Sequence, residues 1–261
     1  MAILLSIGTL WKRELILFFR QKGRVIGALG TPLIFWLVIG SGLGSSFHLP
    51  GAPDVDYLEY FFPGTVLLII LFTAIFSSLS VIEDRKEGFL LSVLVAPVHR
   101  IAIALGKIFG CATLAFLQGF LLILMAPIVG IHLSWVQLLM VAGLLLLISL
   151  CMAGLGFATA WATESVQGYH SIMNVLLLPM WLLSGAVFPM SGAFSWIRWT
   201  MLVNPLTYAF VTLQHSLGSQ LVTADGLPSF SISLLITFVF GTVVFAVSFY
   251  LVQKGKVKGL S

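Results

Sequence analysis

Apolar residues run through this chain in stretches longer than a soluble helix needs, and the polar positions collect between them. A helix rises 1.5 Å per residue, so roughly 20 apolar residues cross ~30 Å of hydrocarbon. Six runs approach or exceed that length: residues 25–43, 61–82, 101–129, 135–160, 171–188 and 231–252. Each is read as a spanning helix. Pro32 is expected to kink the first. Pro63-Gly64 is expected to open the second, while the third holds Lys107 near its start and Pro127 near its end.

Residues 1–24 are patterned differently. Ile3, Leu4, Ile7, Leu10, Trp11, Leu15 and Phe18 recur at helical spacing, with Lys12, Arg13, Glu14, Arg20, Lys22 and Arg24 at the polar positions. Such a helix suits the membrane interface, its basic residues near anionic headgroups. Packing on a soluble partner would satisfy the same pattern. Residues 1–24 do not read as a signal peptide, because Ser6 and Gly8 break the apolar stretch and Trp11-Lys12-Arg13-Glu14 follow it. Residues 189–230 are too broken for one helix and too apolar for a free loop. They predict a short re-entrant helix, a turn at Asn204-Pro205 and a second short helix over about 206–217, irregular backbone that protein must cover. Trp196 and Trp199 would equally suit an interfacial aromatic belt.

Composition narrows the class. Hydrophobic residues make up 59% of the 261 and charged residues 8%, against about a quarter charged in soluble domains. That excludes a soluble enzyme, a nucleic-acid-binding module and a secreted disulfide scaffold. The expected fold is an all-α polytopic membrane protein, one transmembrane domain over 1–261. Charge then orients it. Of the 13 Lys and Arg residues, Arg198 alone falls on one side of the predicted spans and the other 12 on the opposite side. Basic residues concentrate in cytoplasmic loops, so both termini are expected in the cytoplasm, which six spans require.

Candidate chemistry is sparse. Cys111 and Cys151 lie in apolar runs and read as small buried hydrophobes. The five histidines share no metal-ligand spacing, Gly-x-Ser-x-Gly is absent, and no catalytic residue or metal site is assigned. Gly106-Lys107 does not complete a phosphate-binding loop, because Ile101 and Ile108 stand where Gly and Ser or Thr are needed. No Asp or Glu sits mid-span to serve a proton or sodium relay. Asn174 is a lone amide within a span, satisfied either by a neighbouring helix or by a substrate. Gly23/Gly27, Gly40/Gly44 and Gly106/Gly110 have helix-packing spacing, which chance also supplies in a chain with 25 glycines.

The loop between spans two and three, residues 83–100, is the most informative stretch. Phe89–Val95 is too short to span and too apolar to float, and Gly88 and Pro97 bracket it as a short helix. It suits docking into a groove on another protein, or serves as a connector beside a solvated charge run. The run Glu83-Asp84-Arg85-Lys86-Glu87-Gly88, with Leu91 and Ala96-Pro97-Val98-His99-Arg100 at this spacing, resembles the cytoplasmic loop of the ABC type-2 permeases. Asn204-Pro205-Leu206-Thr207-Tyr208 resembles that family's late Pro-x-x-Tyr signature. Gln214 stands where an arginine is common in the family.

The resemblance, which covers nearly the whole chain, implies the membrane subunit of an ATP-driven exporter. It implies a homodimer of permeases, each copy binding one cytoplasmic ABC ATPase that holds the ATP and Mg this chain does not. Helix 88–97 would be the coupling helix and helix 1–20 the connecting helix. Glu83 and Glu87 would cluster near Arg85 and Arg100. Spans two and five would line the pathway, with Phe72, Phe76, Asn174, Met180 and Trp181 as candidates. The expected substrate is an amphiphile (a lipid, lipid-linked saccharide or hydrophobic drug), and the expected location is the inner membrane of a bacterium. A membrane-embedded lipid-modifying enzyme or its scaffold is the rival reading, and would need catalytic residues clustered at one depth. A secondary transporter would need inverted repeats and buried ionisable residues.

Overall fold

The computed structural model describes residues 2–43, 57–95, 98–218 and 228–254. Residues 44–56, between the first two expected spans, Pro97 of the 83–100 loop, and Lys256 and Lys258 of the tail lie outside the described residues. Among the described residues ten α-helices form: α1 (Ala2–Arg20), α2 (Lys22–Leu43), α3 (Tyr57–Lys86), α4 (Phe89–Val95), α5 (Arg100–Ile123), α6 (Trp135–Ala162), α7 (Val166–Trp181), α8 (Ser195–Val203), α9 (Pro205–Ser216) and α10 (Phe230–Lys254). Among the described residues, α2, α3, α5, α6 and α10 are long and apolar enough to cross a membrane.

The layout follows from which faces must be covered. α3 is buried along nearly its whole length, with α2, α5, α6 and α7 packed around it. α2 and α10 lie at the periphery and leave most of their apolar surface open, as a helix facing hydrocarbon does. α1 lies along α5, and α10 against α6 and α9.

Several expected boundaries move, each for a local reason. The third span stops at Ile123 rather than 129, because Pro127 has no N–H to donate to the Ile123 carbonyl and its ring crowds that carbonyl. A 3-10 turn, Ala126–Val129, follows and closes on Gly130 at φ +82°. The second span begins at Tyr57, six residues before Pro63, which the helix carries inside it. α7 starts at Val166, where the Ser165 hydroxyl accepts the Gly168 N–H at 3.0 Å. Lys22 and Arg24, assigned to the interface helix, belong to the first turn of α2.

The predicted fifth span is broken. α7 ends at Trp181 and passes into a π-helical turn, Leu182–Ala186, in which Gly185 takes φ +90°. Irregular backbone at membrane depth needs its carbonyls satisfied, and neighbouring side chains do this one by one. The Asn204 amide donates to the Met180 carbonyl at 2.6 Å and to that of Leu183 at 3.0 Å. Tyr60 donates to the Gly185 carbonyl at 2.7 Å and Tyr57 to that of Val187 at 2.8 Å. The same Asn204 caps α9 by accepting the Leu206 N–H at 3.0 Å. Within the segment 189–230, two short helices, α8 and α9, flank the turn at Asn204. Gly64 lets the turn sit against α3, since a Cβ there would come within 2.6 Å of the Ala186 Cβ.

Asn204→Ala strips two partly buried carbonyls and one helix cap of their partner. It should lower the unfolding free energy by ~2 kcal/mol, read by denaturant titration in mixed micelles. Thr207→Val removes only a 3.4 Å bond to Leu183 and should cost less than ~1 kcal/mol.

Candidate functional site

Charged residues from within α1, from the end of α3 and from the start of α5 meet beneath α4. α1 presents Leu10, Glu14 and Phe18 inward at one-turn spacing, so Glu14 is not on the solvated face that its charge suggests. Gly106 and Gly110 of α5 make this possible. A Cβ at Gly106 would lie 2.7 Å from the Leu10 Cβ, and one at Gly110 would lie 2.5 Å from the Glu14 Cβ. Of the three glycine pairs with packing spacing, this one carries a close approach of two helices along both its members.

That approach brings Glu14 to Lys107, whose side chain is 0% exposed. The Lys107 ammonium donates to Glu14 Oε1 at 2.7 Å, Asp84 Oδ2 at 2.6 Å and Ser80 Oγ at 3.3 Å. Ser80 donates to the other Glu14 oxygen at 2.5 Å. Arg13 completes the set with two parallel 2.7 Å bonds to the Asp84 carboxylate. Two cations thus face two carboxylates and the cluster is neutral. Removing one member of such a buried group costs ~3–5 kcal/mol, because the remainder is left uncompensated.

Arg13 also reaches α4. Its guanidinium carbon lies 3.7 Å from the centroid of the Phe89 ring, a cation–π contact worth up to ~2 kcal/mol when desolvated. Gly88 at φ +77° turns the chain from α3 into α4, and Leu90 is buried against Leu10 and Ile103. The opposite face is open: Ser92 is exposed, and Val95 is 85% exposed. Of Leu91 only its place within α4 is described.

The cluster expected among Glu83, Glu87, Arg85 and Arg100 does not form. Each finds a different surrounding because successive residues at a helix end point in different directions. Glu83 pairs with Arg24 of α2. Arg85 donates to the carbonyls of Trp161 at 2.8 Å and Thr163 at 2.9 Å, closing the end of α6. Arg100 donates to the Gln253 carbonyl of α10 at 3.1 Å. Glu87 is exposed.

The pathway candidates divide. Phe72 and Phe76, 5.9 Å apart between ring centroids, are the partly exposed pair in the otherwise buried middle of α3. His170 of α7 lies 6.3 Å from Phe76, and Asn174 is exposed one turn further along. Met180 is half-buried and lines an open recess of about 500 Å³ with Leu183, Trp199 and Asn204. Trp181 is a correction: it is fully buried and donates to the Gly64 carbonyl at 2.8 Å, pinning α7 to α3. In the Pro-x-x-Tyr motif Pro205 opens α9 and Tyr208 donates to the Leu202 carbonyl at 2.6 Å. Gln214, where an arginine is common in the family, is buried. Cys111 and Cys151 are free and buried. No group of three His, Cys, Asp or Glu able to hold a metal occurs among the described residues.

Arg13→Met keeps the bulk of the side chain but loses both the Asp84 bonds and the Phe89 contact. Amide hydrogen exchange in residues 89–95 should accelerate about tenfold, while exchange in the middle of α6 stays unchanged. Equal exchange rates in α4 would mean that Arg13 does not hold it.

The sequence family described as ABC-2 type transporter matches residues 6–217. The chain is 29% identical over 246 residues to the transport permease ycf38 of Cyanophora paradoxa, covering 90% of this chain and 84% of that protein. It is 27% identical over 220 residues to nodulation protein J of Rhizobium meliloti, covering 81% of each. With its apolar helices and the charged junction under α4, the chain belongs to the ABC-2 type transporter family, as a multi-pass membrane subunit of a transporter.

Proposed function

We propose that this chain is the permease subunit of an ATP-driven exporter, with six spans and both termini in the cytoplasm. Its fifth span is α7 with the turn that follows. The chain works as a homodimer in the cell membrane of a bacterium, each copy seated on an ATPase subunit that supplies ATP and Mg. The observation that carries this reading is the double engagement of Arg13, which touches the first ring of α4 and the last acidic residue within α3. A partner pressing on the Ser92 and Val95 face of α4 moves Arg13, and with it Asp84 and the whole of α3.

The displacement has a destination. α3 carries Phe72 and Phe76 to the opening beside α7, where the Asn174 amide lies on the same side as His170. Aromatic faces accept acyl chains or sugar rings, and an amide with an imidazole accepts hydroxyl and amide groups. That combination favours an amphiphile over an inorganic ion. A second copy covering the open faces of α2 and α7 closes this pathway on its other side.

The test is affinity purification of the tagged full chain from its native membrane in mild detergent, followed by mass spectrometry. A P-loop ATPase should be retained at one copy per permease, and Val95→Asp should release it without changing the unfolding midpoint. A chain that purifies alone, with no ATPase crosslinked to α4, would contradict the proposal.

A further inference from the structure

The charged junction consumes Arg13 and Glu14 but leaves Lys12 free. Lys12 is exposed, and no ion pair or hydrogen bond engages it among the described residues. It borders a shallow depression along α1 with Leu5, Gly8 and Thr9. That depression shares Leu4 and Gly8 with a second, apolar recess of about 390 Å³. The second recess is walled by Trp11 of α1, Phe109 and Thr113 of α5, and Leu146 and Leu150 of α6.

Two features keep this recess shaped rather than incidental. The Trp11 indole N–H donates to the Thr113 hydroxyl at 3.0 Å, which fixes the ring across the α1–α5 junction. Gly8 leaves the wall open, since a Cβ placed there would meet nothing within 4 Å. Leu4 and Leu146 open the recess outward. In a membrane protein that surface faces acyl chains, and a concave apolar wall offers a chain more contacts than a convex helix. An amphipathic tryptophan beside a lysine is also the arrangement found at headgroup level.

We propose that α1, α5 and α6 form a seat for an anionic phospholipid. One acyl chain occupies the recess behind Trp11, and the lipid phosphate sits on the Lys12 ammonium. Charge selects the occupant: an uncompensated cation at the rim of an apolar slot matches a ligand that is anionic at one end and aliphatic at the other. The seat would hold α1 at the membrane surface while leaving Arg13 and Glu14 facing inward. The inference does not depend on the transport reading.

The test uses the full chain reconstituted in vesicles containing brominated phosphatidylglycerol or brominated phosphatidylcholine. Trp11 quenching is taken as the difference from Trp11→Phe. Phosphatidylglycerol should be preferred about fivefold, the increment a single lysine gives near an anionic lipid surface. Lys12→Gln should abolish the preference, Arg20→Gln should keep it, and Gly8→Leu should remove Trp11 quenching by both lipids. Equal quenching by the two lipids would overturn the proposal, leaving an unselective lipid contact. Loss of the preference in Arg20→Gln as fully as in Lys12→Gln would also overturn it, as diffuse surface potential. A Trp11 quenched by neither lipid would mean that protein covers the recess, which overturns it as well.

Discussion

A primary ammonium that solvent does not reach must have its charge and its three donors matched by the protein around it. Lys107 imposes that demand on three helices together. α5 has to bring glycines to α1 so that Glu14 can approach, and α3 has to end with Ser80 and Asp84 one turn apart on the facing side. Asp84 then needs Arg13, and Arg13 in turn holds Phe89. An apolar trio of similar volume could join the same helices without loss of stability. It could not fix their register through directional bonds, nor carry a displacement of α4 into a defined side chain of α3.

The opposite end of α3 meets the other expensive feature of the fold, the broken backbone after α7. Tyr57, Tyr60 and the Gly64 carbonyl engage that break from α3, and Asn204 engages it from the start of α9. α3 is 30 residues long, about 45 Å at 1.5 Å per residue, and buried nearly throughout. One stiff rod therefore links the charged junction to the broken backbone between α7 and α9. Phe72 and Phe76, midway along it, are the place where that rod is open to the molecule's exterior.

The five long apolar helices and the short helices around Asn204 were legible because apolar runs and turn residues report local constraints. The short helix after Gly88 was legible for the same reason. Glu14 was not, because its partner lies 93 residues away and a pattern reading assigns any carboxylate to the wet face. A signal was present nonetheless: Lys107 sits inside an apolar run and needs a counter-ion, and Gly106 and Gly110 flag the face where another helix can approach. The end of α7 was hidden for a different reason. Leu182, Leu183, Ala186, Val187 and Phe188 continue the apolar run, while the break is held by tyrosines and an asparagine from other helices. Trp181 was misplaced because a resemblance gives a position in the chain and not the direction of a side chain.

The most direct measurement is a double-mutant cycle on the unfolding free energy of the full chain in mixed micelles, using Glu14→Gln, Lys107→Met and the pair. If the buried cluster holds α1, α3 and α5 as one unit, the two changes should be coupled by at least ~2 kcal/mol, with the double variant more stable than Lys107→Met alone. Effects that add to within ~0.5 kcal/mol would show two independent residues. The junction would then not be the constraint on which the structure depends.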